Sequence, residues 1–312
     1  MYLNPTSTRP SELQLDPLAQ SVLRTLLYFD VFCFPLTTAE ISRFMDVKGW
    51  PVPALEELKE KNLIQAHKGY WGFGSLVENI RKREEGAKEA ARLMPRALHI
   101  SKSLSHIPFI QSVCLSGSIS KGYMDEDSDI DFFLVVQPGR LWIVRFIFSM
   151  VILGFGWLKV KKYFCPNYIM TSDQLQVGDR NRFTATEIHS LIPTYNGDVF
   201  QQFLRENQWS FSWFPQAEIP PVEALPPKRH RLRWLWDSPI FSALDVVFFR
   251  MYHWHYSRKF GNLKALKLSP EDIRFRRNTY KMHNTGHRSR ILETYQQKLK
   301  SFEDFYFTRI QP

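Results

Sequence analysis

Cysteine is scarce in this chain of 312 residues, which has only Cys33, Cys114 and Cys165. All three lie in apolar surroundings, and none is spaced from another as metal ligands are, so neither a disulfide framework nor a cysteine-held zinc site is expected. A long uncharged apolar run is also missing. The stretch Leu141–Leu158 contains Arg145 and Ser149, and its uncharged part, Phe146–Leu158, is 13 residues long. Spanning a bilayer takes about 20, so this stretch reads as a buried helix and no membrane span is expected. Residues 1–15 lack the basic-then-apolar order of a secretion signal. Together these absences point to a cytoplasmic protein.

Negative charge is what the last third lacks. From Lys228 to Pro312 there are 18 Lys or Arg against 7 Asp or Glu, a net of +11 in a chain whose total is +10. The rest of the chain therefore sums to about zero. Such a basic tail fits an anionic partner (a nucleotide, nucleic acid or phosphorylated glycan) or a solvated cationic surface. Hydrophobic residues make up 44% and aromatics 15%, which at this length describes two or three domains with real cores.

One stretch organises the remainder. Val113-Cys-Leu-Ser-Gly117-Ser118 is followed, ten residues later, by Asp129-Ile-Asp131 and the apolar run Phe132–Val136. In a strand, residues two apart share a face, so Asp129 and Asp131 project together while Ile130 points the other way. Two adjacent carboxylates repel unless a cation lies between them, and hard oxygen ligands suit Mg²⁺ or Mn²⁺. Gly117 allows backbone to approach a bulky anion closely, and Ser118 offers a hydroxyl and an amide to phosphate.

The pattern Gly-Ser, ten residues, Asp-x-Asp at the head of a strand resembles the signature of the polymerase-beta-like nucleotidyltransferase superfamily. Lys121 and Gly122 after the Gly-Ser make it look most like the small bacterial and archaeal, MNT-type branch. The resemblance implies catalytic carboxylates Asp129 and Asp131, a nucleotide triphosphate cradled by Gly117, Ser118 and Lys121, and Mg²⁺ or Mn²⁺ held by Asp129 and Asp131. The superfamily draws a third carboxylate from a neighbouring strand, read here as Lys162–Thr171. Asn167 takes that position as the third metal ligand, and an amide carries no charge and accepts no proton. Asp173 and Glu187 are substitutes that sequence does not rank.

The other segments read as follows. Leu18–Phe29, Thr38–Met45 and a stretch opening at Pro51 or Pro53 and running to Lys61 are helices. Thr37 and Glu40 form a capping box for the second, and a hairpin turns at His67-Lys-Gly69. Helix, helix, helix, wing is a winged-helix order, and Tyr28–Thr37 resembles an N-terminal segment of some bacterial nucleotidyltransferase-domain proteins. The third helix carries Glu56, Glu57 and Glu60, which disfavours DNA and favours packing against protein, including a second copy in a homodimer. Leu76–Ser105 is a long helix kinked at Pro95. Thr184–Phe203 reads as helix, turn, helix, and five prolines from Pro215 to Pro227 mark a strap. The C-terminal helices are expected at 242–260, 269–279 and 288–305. The histidines at 253, 255, 283 and 287 are not spaced as a metal site, whereas Lys281, His283, His287, Arg288 and Arg290 are candidates for phosphate or base contacts.

The expected class is α+β. A winged-helix domain covers residues 1–75, a connecting helix 76–107, and a nucleotidyltransferase-like core with a small mixed sheet flanked by helices 108–205. A basic, mainly helical region covers 206–312. The expected activity is transfer of a nucleoside monophosphate from a nucleoside triphosphate to an acceptor: protein, nucleic acid or small molecule. Two alternatives are open: a nucleotide-binding or regulatory protein weakened at Asn167, and a DNA-binding regulator.

Overall fold

A computed structural model describes residues 15–155, 163–218, 223–228, 236–261, 273–282 and 287–306. Of these, residues 15–81, 212–218 and 290–306 belong to one compact unit and the other described residues to a second.

In the first unit, α1 (Pro17–Asp30) starts at Asp16, whose carboxylate accepts from the Ala19 amide at 2.6 Å, with Pro17 in the first turn. Then come β1 (Leu36–Thr37), α2 (Thr38–Phe44) and α3 (Val52–Glu60). The capping box of Thr37 and Glu40 forms as the spacing predicts. β2 (Gln65–His67) and β3 (Tyr70–Gly72) make the hairpin, its turn built from the positive φ of Lys68 and Gly69. The sheet order is β1-β3-β2. Arg24 on α1 clasps Asp46 through two bonds of 2.7 and 2.8 Å, fixing the turn after α2. From far along the chain, Phe214 packs edge-on against Phe44, and Gln216 accepts from the Gly49 amide.

In the second unit, α4 (Leu76–Leu104), whose first turns belong to the first unit, is one helix of 29 residues containing Pro95. β4 (Ile110–Ser116), the single turn α5 (Gly117–Ser120), β5 (Asp131–Val136), α6 (Leu141–Phe155) and β6 (Cys165–Thr171) follow. After them come α7 (Arg182–Ser190), β7 (Ile192–Tyr195), α8 (Gly197–Glu206), α9 (Pro239–Lys259), β8 (Ile273–Arg276) and β9 (Thr279–Met282). α10 (His287–Tyr306) closes the chain and belongs mainly to the first unit, where Tyr295 meets Tyr28 and Lys298 pairs with Asp30 at 2.6 Å.

The six-stranded sheet runs β7-β4-β5-β6-β9-β8, with β5 and β6 parallel and every other pair antiparallel. The neighbouring strands β4 and β5 are apolar on both faces, as a strand covered on both sides must be. Val113, Leu115, Phe132 and Leu134 pack with residues of α4 and α6, while Cys114, Phe133 and Val135 pack with residues of α7 and α8.

Three sequence expectations change. The turn between α7 and α8 holds a strand, β7, because Ile192, Pro193 and Tyr195 find partners along β4 and Leu225 bridges to Tyr195. The helix expected at 269–279 is instead β8 and the start of β9, residues 269–272 lying outside the described set. Ile273 and Phe275 alternate with arginines, and β9 pairs with the free edge of β6, which outweighs a local helix start. The basic, mainly helical tail thus also supplies two strands. Of Leu141–Leu158, only the first half is enclosed: Leu141 to Arg145 and Phe148 are buried, whereas Met150, Val151 and Leu153 are exposed, and residues 156–158 lie outside the described set.

What encloses that first half is α9. Asp245, fully buried, accepts from the Trp142 and Ile143 amides at 2.7 and 3.2 Å and so caps α6 from another helix. Its second oxygen lies 3.2 Å from Arg277. Arg145 donates to Tyr256 and Ser149, with the Tyr280 ring beneath it at 4.9 Å. Truncating Asp245 strands two amides of a helix start. Asp245→Ala is expected to lower stability by about 2–3 kcal/mol in urea unfolding, and Asp245→Asn by about half of that. Equal losses in the two variants would contradict the capping role.

Candidate active site

Ser116, the last residue of β4, lies in register with Asp131, the first of β5. The chain must therefore reverse away from the sheet immediately beside the Asp131 carboxylate. Gly117 makes that reversal at φ +66°, and a Cβ on it would lie 2.2 Å from Asp131 Oδ2. Backbone conformation and space both require glycine here. The turn continues through Ser118, whose carbonyl accepts from the Lys121 and Tyr123 amides.

Ile130 is fully buried, and its carbonyl accepts from the Cys165 amide at 3.0 Å. Asp129 and Asp131 flank this anchored residue and are electrostatically coupled. Asp131 opens the strand, and Asp129 lies two residues ahead of it, outside the strand. Lys121 stands over the turn, donating to the Gly117 carbonyl at 3.2 Å and to Glu187 on α7 at 2.8 Å.

Burial pushes the Asp131 carboxyl up to about 7; the Cys165 thiol donating to it opposes this, Asp129 and Glu187 add to it, and Lys121 offsets part. Asp131 thus lies within electrostatic reach of Asp129, Glu187 and Lys121, the last two joined by an ion pair.

Glu187 and Asp173 can now be ranked. β6 runs beside β5 from Cys165, next to Asp131, to Thr171, next to Val136. Asp173 lies beyond Thr171, at the far end of the strand, about 20 Å along it at 3.3 Å per residue. Glu187 is the acid that the fold returns to the Gly-Ser turn. Asn167 falls at a bulge: the register passes from Phe132–Pro166 to Phe133–Tyr168 and leaves it without a partner. Directly opposite Asp131 is Cys165, a position that strand alternation alone does not single out.

Of the C-terminal basic set, Lys281 is buried and committed to Asp179 at 3.3 Å, beside Arg274 at 2.9 Å from the same acid. Burial lowers the Lys281 pKa against the opposing pull of Asp179. His283 and the side chain of His287 lie outside what is described.

Among the described residues, no group of three or more His, Cys, Asp or Glu is arranged to enclose a metal ion. The donor chemistry nonetheless fits Mg²⁺, which typically takes one or two carboxylates and completes its shell with water and substrate phosphates. A cation would also offset the burial and the neighbouring carboxylates that raise the Asp131 pKa.

Residues 98–175 match the model of the nucleotidyltransferase domain family. No curated protein and no solved structure matches the chain. The matched segment carries Gly117, Ser118, Lys121, Asp129 and Asp131 and supports placement in the nucleotidyltransferase superfamily and general nucleotidyl transfer. Glu187 lies outside it.

Because Asp131 holds its proton more tightly folded than unfolded, the folded state binds the extra proton between about pH 4 and 7. Metal-free stability should then fall as pH rises through that window and level off above it, by at most about 4 kcal/mol for a shift of about three units. Asp131→Asn should remove this fall and be the more stable protein at pH 8. Urea midpoints of both proteins at pH 5 and pH 8, in chelator, test it; parallel pH dependence would contradict the assignment.

Proposed function

We propose that this protein transfers a nucleoside monophosphate from a nucleoside triphosphate to an acceptor. The carrying observation is the Gly-Ser turn forced against Asp131 with Asp129 beside it. In this reading Asp129 and Asp131 hold Mg²⁺ or Mn²⁺, with Asn167 as a further, uncharged ligand through its amide oxygen. The metal supplies charge neutralisation at the phosphates. Gly117 and Ser118 bring backbone and hydroxyl donors to the triphosphate, and Lys121 exchanges its hold on Glu187 for phosphate oxygen. The acceptor oxygen attacks the α-phosphorus, the bond to the bridging oxygen breaks, and pyrophosphate leaves. Glu187 contributes the third negative charge that Asn167 lacks and, once released by Lys121, receives the acceptor proton.

The MNT-type resemblance and the winged-helix reading of residues 1–75 belong to this proposal. In that unit Glu56 and Glu57 on α3 pair with Lys59 and Lys61, leaving no basic face for a phosphate backbone. This supports a role in packing against protein over DNA binding. A second functional reading is favoured by Cys165: the strand neighbour of Asp131 is a thiol, not a carboxylate. In that reading the protein binds nucleotide and turns over slowly or not at all.

Calorimetry should show Mg²⁺ binding about tenfold weaker at pH 6 than at pH 8, because the metal must displace the Asp131 proton. The Asp129→Ala, Asp131→Ala double variant should bind little at either pH. Equal affinity in wild type and double variant would sink the site. With α-labelled nucleotide and cell extract as acceptor source, label transfer should vanish in the same variant. Gly117→Ala, which displaces Asp131, should slow transfer by about 10². Metal and nucleotide binding with no transfer would select the second reading.

A further inference from the structure

α9 carries apolar residues on two sides, and among the described residues one of these sides is covered. Asp245, Phe248, Phe249, Tyr252 and Tyr256 face α6 and the sheet. On the other side Ile240, Leu244, Val247, Met251 and Trp254 are each between 40% and 69% exposed. Their spacing of four, three, four and three residues makes one continuous stripe along the helix. A contiguous exposed apolar stripe of this length marks an interaction surface, so this stripe calls for a cover.

The charges decide which cover. The only acid on α9 is Asp245, which is wholly inside, while Arg250, Arg258 and Lys259 are exposed along with His253 and His255. Two copies pairing through this stripe would bring like charges together with no acid on the helix to answer them. An anionic surface answers all three. Arg258 lies over the Trp254 ring at 4.0 Å, an aromatic body with a cationic tip of the kind that sits at a membrane–water boundary.

α6 runs alongside in the same direction, Trp142 near Asp245, Phe146 stacked on Phe248 at 4.2 Å and Ser149 bonded to Tyr252. Its last turns add exposed Met150, Val151 and Leu153. Among the described residues no helix is long and apolar enough to cross a bilayer.

We propose that the outer face of α9, with the end of α6, docks onto the surface of a bilayer containing anionic lipid. α9 then lies in the plane of the interface, its stripe in the acyl boundary and Arg250, Arg258 and Lys259 among the headgroups. At 1.5 Å per residue it covers about 30 Å of membrane.

Vesicle flotation with the full chain tests this. The wild type should float with phosphatidylcholine vesicles carrying about a third phosphatidylglycerol at physiological salt. It should stay largely at the bottom with phosphatidylcholine alone, or with the mixed vesicles at high salt. Leu244→Glu with Trp254→Glu should abolish flotation while leaving circular dichroism and Mg²⁺ calorimetry unchanged. The milder Arg250→Gln should weaken partition about fivefold. A wild type that does not float with anionic vesicles, or a double variant that floats as well as wild type, overturns the proposal. A dimer in sedimentation velocity that the double variant makes monomeric, with no flotation, overturns it in favour of a second copy.

Discussion

The Asp131 carboxylate sits at the head of an interior strand with backbone pressed against it, and the site follows from that closeness. Because Ser116 and Asp131 are in register, β4 has nowhere to continue, and only a residue without a side chain turns the chain in the space left. The same enclosure raises the pKa of the acid and draws Lys121 over the turn. A carboxylate that resists ionising is one that a nearby cation would stabilise, so the constraint that shapes the turn also sets the electrostatics of the site.

Around this point the sheet acts as a rigid frame. β5 and β6 are parallel neighbours, so the crossover through α6 must pass over one face, and α9 holds that crossover by capping it with Asp245 and gripping Arg145 through Tyr256. The basic tail therefore has two physical roles. One part, β8 and β9, extends the sheet beside β6. The other, α9, encloses α6 on one side and leaves a cationic, apolar helix face on the other.

The motif was legible because its elements are local. Glycine's conformational freedom at Gly117 and the capping box at Thr37 and Glu40 act over a few residues, and each appears where the spacing put it. Cys165 and Glu187 were harder. A single bulge between Pro166 and Tyr168 shifts which residue of β6 stands beside Asp131, and nothing in the local sequence announces a bulge. Glu187 reaches the site from a helix more than fifty residues downstream through an ion pair that only the folded chain can form. The strands β7, β8 and β9 were missed for a related reason: each is four residues long and is stabilised by the edge it joins, not by its own pattern.

By itself the sequence determined the Gly-Ser turn at the head of the Asp131 strand, the α+β class, the first three helices with their hairpin, and the concentration of positive charge in the last third. These depend on short-range sterics and on composition, which chain order contains in full. Tertiary structure decided which of the spare acids meets Asp131, which residues of the basic tail become sheet, and which face of α9 stays open. Those outcomes depend on strand register and on which surfaces remain after the core has closed, and both are settled by contacts between residues far apart in the chain.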